Sequence, residues 1–131
     1  MTEMNASAET TAASREVVRR MYAAAIAGDV ATVLSLLDNA IVCHESPALP
    51  YGKVYRGHAG IKELFEPLAR YLALEHIAVE HLIADGERVV AVIRVPVRSS
   101  GVDTLVSEHH LVRDGKVVEQ RIFFFEPTLV R

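Results

Sequence analysis

The hydrophobic period of this chain changes once, and that change limits what it can fold into. Up to residue 72, apolar residues recur mostly three and four apart, as on one face of a helix. From residue 74 onward they alternate, and Asp85-Gly86 and Asp114-Gly115 mark turns between the alternating runs. Helices first and hairpin-linked strands afterwards predict an α+β domain, with helices packed on one face of an antiparallel sheet.

The pattern resolves into elements. A helix is predicted from Ser14, with Val17, Val18, Met21 and Ala25 as its apolar stripe and Tyr22 and Ile26 beside it. Gly28 ends it, and Asp29 caps a short second helix bearing Val30, Val33, Leu34 and Leu37. Residues 39–46 alternate as a first strand, with Ala40, Val42 and His44 on one face and Ile41, Cys43 and Glu45 on the other. Residues 46–57 form a long loop containing two prolines and two glycines, the kind that often borders a site. A third helix over residues 58–72 turns Ile61, Leu64, Phe65, Leu68 and Leu72 inward, with a kink or break expected at Pro67. Strands follow at 74–84, 89–98, 104–113 and 116–126, with an edge or bulge at Pro96.

At 131 residues the chain fits one domain, and with half its residues apolar it needs no covalent staple. Its lone cysteine, Cys43, rules out an internal disulfide, and a cytoplasmic location is expected. The net charge of −3, without a basic block, argues against nucleic acid as a partner. No apolar run is long enough to cross a membrane. Residues 1–13 carry little to bury and are expected to form a mobile tail, leaving residues 14–131 as the folded domain.

Ala27-Gly28-Asp29 between the first helices, Tyr55-Arg56-Gly57 with Gly60-Ile61 at the third helix, and Asp114-Gly115-Lys116 in the last hairpin are marks of a known family. Over residues 14–126 the chain resembles the nuclear transport factor 2-like superfamily, which includes SnoaL-like polyketide cyclases and ketosteroid isomerases. The resemblance implies a cystatin-like cone: a strongly curved antiparallel sheet and about three N-terminal helices enclosing a pocket. It also implies homodimers formed through the outer sheet face, for which Leu111, Phe123 and Phe125 are candidates.

The resemblance further places His44 where the isomerases carry an aspartate base, and Glu108 where they carry a protonated aspartate that donates to an oxyanion. Neutral imidazole shuttles protons near neutral pH, so His44 is the candidate base. The alternative is a strand-end histidine bonded to backbone or water. His110 shares a strand face with Glu108 and is the candidate relay; a one-residue shift would put Ser107 and His109 there instead. Tyr22 lies one position beyond the isomerase tyrosine and serves either the cavity or the core. Val42, Phe65, Gln120, Ile122 and Phe124 are expected to contact ligand, with Tyr51 and Tyr55 at the mouth.

Neither a metal-ligating histidine motif nor a phosphate-cradling loop is present, so no cofactor or metal is expected. The expected function is cofactor-independent acid/base chemistry, of isomerase or cyclase type, on an apolar carbonyl or polycyclic compound. The alternative is a ligand-binding or regulatory domain without turnover.

Overall fold

The structure is a computed structural model and describes residues 2–131, with side chains from residue 7 onward. The elements in chain order are α1 (Thr2–Ile26), α2 (Val30–Ser35), β1 (Leu37–His44), β2 (Val54–Arg56), α3 (Gly57–Tyr71), β3 (Ala78–Asp85), β4 (Arg88–Pro96), β5 (Asp103–Arg113) and β6 (Lys116–Phe124). Single 3-10 turns at Leu74–His76 and Pro127–Leu129 complete the chain.

The six strands form one curved, unclosed sheet in the order β2-β1-β6-β5-β4-β3. Neighbours run antiparallel except β1 and β6, which are parallel. Hairpins thus link β3 to β6, and β1, from the other end of the chain, lies alongside β6. Register shifts that leave an extra residue at Glu80 in β3 and at Val118 in β6 add local twist that helps the sheet curl. The concave face and the helices share one core, in which Val18, Ile41, Val89, Val95, Val97 and Val117 are almost completely buried.

Four local outcomes differ from the sequence reading. Helix α1 begins at Thr2, so residues 2–13, expected as a tail, continue the helix; Met1 lies outside the described residues. Ser14 is thus a buried helical residue, not a cap. Upstream of it, Thr11 Oγ1 accepts a 2.7 Å hydrogen bond from the amide of Gly86 and ties the helix to the β3–β4 turn. Pro67 does not break α3, which continues to Tyr71. The 46–57 loop contains β2, which pairs with β1 from Val42 to His44.

Other signals held. Asp29 caps α2, accepting from the Thr32 amide at 3.1 Å. Asp114 and Gly115 both take positive φ, 51° and 76°, as a tight hairpin turn of the primed type requires. Pro96, by contrast, marks neither the expected edge strand nor a bulge: β4 is an interior strand, and Pro96 closes it beyond the last residue that β3 pairs, so the ladder to β3 loses no donor. Among the described residues no helix is long and apolar enough to cross a membrane.

Candidate functional site

Helices α1 and α3 and the concave sheet face surround a cavity of about 110 Å³. Its wall is mostly aliphatic and aromatic, contributed by Met21, Ala25, Ile61, Leu64, Phe65, Leu68, Ile93, Val106, Ile122 and Phe124, among others. The polar groups that reach it are Tyr22, Glu45, Glu108 and Gln120, together with the Cys43 thiol.

Strand alternation selects these groups. On β5, Thr104, Val106, Glu108, His110 and Val112 face inward, and on β6 Val117, Gln120 and Ile122 do. Glu108 lies opposite Ile122, and His110 lies opposite Gln120. On β1 the inward face is Ile41, Cys43 and, just past the strand, Glu45, at 0%, 1% and 7% exposure. This reverses the face assigned to β1 from sequence. Val42 and His44 point away from the cavity, and His44 Nε2 lies 3.3 Å from the Glu119 carboxylate on the outer face. The candidate base His44 therefore cannot reach a ligand in the cavity, and Val42 does not line it. Sequence reasoning missed Glu45, although a signal was present. Ile41 and Cys43 make a more core-like face than Ala40, Val42 and His44, and Glu45 lies on that face.

Glu108, His110, Tyr22 and Gln120 form a hydrogen-bond chain. The Gln120 amide nitrogen lies 3.2 Å from His110 Nδ1 and 3.5 Å from Met21 Sδ. A thioether only accepts, so the amide nitrogen donates on this side, and His110 Nδ1 is an acceptor. The neutral imidazole then carries its proton on Nε2 and donates to the Tyr22 hydroxyl at 2.8 Å. Tyr22 in turn donates to Oε1 of Glu108. Burial, with a smaller push from His109, holds His110 down to about 3, so it stays neutral. Each donor in the chain points toward Glu108.

The two acids differ in surroundings. Burial raises Glu108 above the ordinary carboxylate range, while the Tyr22 hydrogen bond opposes that rise. Burial, reinforced by Glu108, pushes Glu45 well above that range, and its Oε1 has no hydrogen-bond partner among the described residues. Burial likewise pushes the Cys43 thiol up, so it remains an un-ionised part of the wall.

The tyrosines are distributed otherwise than expected. Tyr22 serves the site, not only the core. Tyr51 and Tyr55 are buried beside the cavity instead of rimming its mouth, and the Tyr55 hydroxyl donates to the Tyr51 carbonyl at 2.5 Å. The loop that carries Tyr51 turns tightly at Gly52, where a Cβ would lie 1.8 Å from the Ser46 carbonyl oxygen. Phe65, Gln120, Ile122 and Phe124 line the cavity as expected. His110 stands behind Tyr22 and does not line it, so it positions and does not touch a ligand.

A family model for the SnoaL-like domain matches residues 18–120. No protein of curated function matches the chain. Among solved structures, one from a soil-derived mobile gene cassette is 20% identical, covers 92% of this chain and 95% of its own, and superposes with a TM-score of 0.80. A nuclear transport factor 2-like protein from Burkholderia thailandensis is 24% identical over 89% of this chain and 93% of its own, with a TM-score of 0.77. A Xanthomonas campestris protein with a cystatin-like fold is 18% identical over 88% of this chain and 93% of its own, at 0.78. These likenesses establish the fold.

Proposed function

This chain belongs to the SnoaL-like domain family, and on that premise we propose that it is a cofactor-independent acid/base enzyme of isomerase or cyclase type. The substrate is a small apolar carbonyl compound. One observation supports this most: two carboxyl groups of opposite hydrogen-bond status face one apolar cavity. Acid and base roles follow from environments that push paired pKa values apart. Glu108, which receives the donor chain, is the base that removes a proton next to the carbonyl. Glu45, unpartnered and kept protonated by burial, donates to the carbonyl oxygen as negative charge develops there. This inverts the role expected for Glu108 and moves the base from His44.

Tyr22, His110 and Gln120 orient the Glu108 carboxylate and temper its rise. The volume favours an acyclic or monocyclic compound over a polycyclic one, since an apolar cavity of about 150 Å³ takes benzene.

The test follows hydrogen–deuterium exchange next to the carbonyl in a panel of small ketones, read by proton NMR in deuterated buffer. The wild-type chain accelerates exchange of at least one ketone. Glu108→Gln lowers that rate by about a hundredfold or more, a typical contribution of a positioned base. His44→Ala leaves it unchanged. A rate that is lost in His44→Ala and kept in Glu108→Gln would overturn the assignment. Ligand uptake without any exchange would support the ligand-binding alternative.

A further inference from the structure

We propose that the cavity binds protonated amines with a compact apolar body, the ammonium group lying between the carboxyl groups of Glu45 and Glu108. This goes beyond the acid/base reading and needs no turnover.

The first support is an inventory of donors and acceptors. Apart from the protonated Glu45 carboxyl itself, the strong side-chain donors among the described residues lining the cavity are Tyr22 and Gln120. Both are committed: Tyr22 to Glu108, Gln120 to His110 and Met21. What remains open is the carboxyl pair, an acceptor set once Glu45 gives up its proton. Glu45 Oε1 is buried without a partner among the described residues, and the Tyr22 bond falls on only one of the two Glu108 oxygens. An ammonium group offers three donors and no acceptor, which complements that set.

The second support is charge. Among the described residues no Lys, Arg or His side chain lines the cavity, so a ligand cation meets two acids and no competitor. A ligand anion meets the same two acids with nothing to balance it. The third is the wall. Tyr22, Phe65 and Phe124 line this cavity, aromatic neighbours of the kind that attract a cation, while the aliphatic remainder takes the hydrocarbon body.

Binding should move a proton. In the free protein Glu45 is held protonated by burial; an ammonium ion beside it favours the carboxylate. The titratable groups coupled to Glu45 and Glu108 are these two carboxyls, Tyr22 from α1, Cys43 from β1, Tyr51 from the following loop and Tyr55 from β2. The phenols and the thiol are pushed up and stay neutral, so the carboxyls alone release protons.

The experiment titrates the full chain at pH 7 with three probes of one shape: isobutylamine, isobutanol and isovalerate. NMR gives the affinities, and calorimetry in two buffers of different ionisation enthalpy gives the protons exchanged. Isobutylamine is expected to bind about tenfold or more tightly than isobutanol, with isovalerate weaker than both and roughly one proton released per amine. Glu45→Gln should abolish the proton release and most of the preference for the amine. Equal binding of amine and alcohol, or amine binding without proton release, would overturn the proposal. Ketone exchange is measured separately. Amine binding without exchange leaves this inference standing and removes the catalytic reading; exchange without amine preference does the reverse.

Discussion

Replacing Glu45 by glutamine should make the protein more stable relative to wild type as the pH rises, and the slope follows from the burial of a single group. In the folded state burial holds the Glu45 carboxyl protonated well above its ordinary value of 4.5, while the unfolded chain releases that proton near 4.5. Between those limits the native state binds one more proton than the unfolded state, so its stability falls with increasing pH. One proton corresponds to about 1.4 kcal/mol per pH unit. The contribution is intact below 4.5 and lost progressively until Glu45 ionises in the fold. Glu108 acts in the same sense. His110 acts oppositely: held down to about 3, it makes stability rise with pH until its ordinary value of 6.5 is passed. Both groups remain in the variant, so the difference between variant and wild type reports Glu45 together with its coupling to Glu108. Urea unfolding of both proteins from pH 4 upward should give curves that run together near pH 4 and then diverge as pH rises, by at most about 1.4 kcal/mol per unit, until Glu45 ionises in the fold. Parallel curves across that range would refute the claim that Glu45 is buried and unpaired.

Two further outcomes can be checked directly. Tyr22→Phe removes the hydroxyl that serves both Glu108 and His110; it should cost about 2–3 kcal/mol in urea unfolding and shift the ketone-exchange profile to higher pH, because the lost bond had been lowering Glu108. Phe123 and Phe125 on the outer face are 51% and 73% exposed, and with Leu111 they should form a two-fold interface; sedimentation at micromolar concentration should show a dimer that Phe123→Ser with Phe125→Ser converts to monomer. A wild-type monomer there would remove that interface.

The fold was legible because it rests on period and punctuation. Alternation in β4, β5 and β6 and the Asp114-Gly115 turn are local facts, and local chemistry determined them. On β5 the placement of Glu108 and His110 on one face was also legible, since Val106 and Val112 share it. Strand β1 was harder. Alternation identifies two faces but not which one is inward, and with a valine on one face and an isoleucine on the other the apolar contrast was small. Fitting His44 to the isomerase base then selected the wrong face. The tail was misjudged for a different reason. Residues 2–13 include four alanines and two glutamates, which favour a helix once α1 supplies a nucleus, and Thr11 Oγ1, which donates to the Ser7 carbonyl within the helix, also accepts from Gly86 because the β3–β4 turn arrives beside it. The Gln120–His110–Tyr22–Glu108 chain joins α1 to a strand 86 to 88 residues away, and no local pattern encodes such a meeting.

The parallel pairing of β1 with β6 has a consequence for how the chain reaches its working form. Leu37 sits beside Val117, whereas β3 through β6 pair with their immediate sequence neighbours. Closing the long span costs chain entropy that only the finished sheet repays, so β1 is expected to join after the hairpins have formed. Glu45 arrives with β1, and Tyr22 meets Glu108 across 86 residues of sequence. A partly folded or partly synthesised chain would therefore hold Glu108 without its partners. The chemistry would switch on with the last step of folding, making proton exchange a reporter of completed assembly as well as of activity.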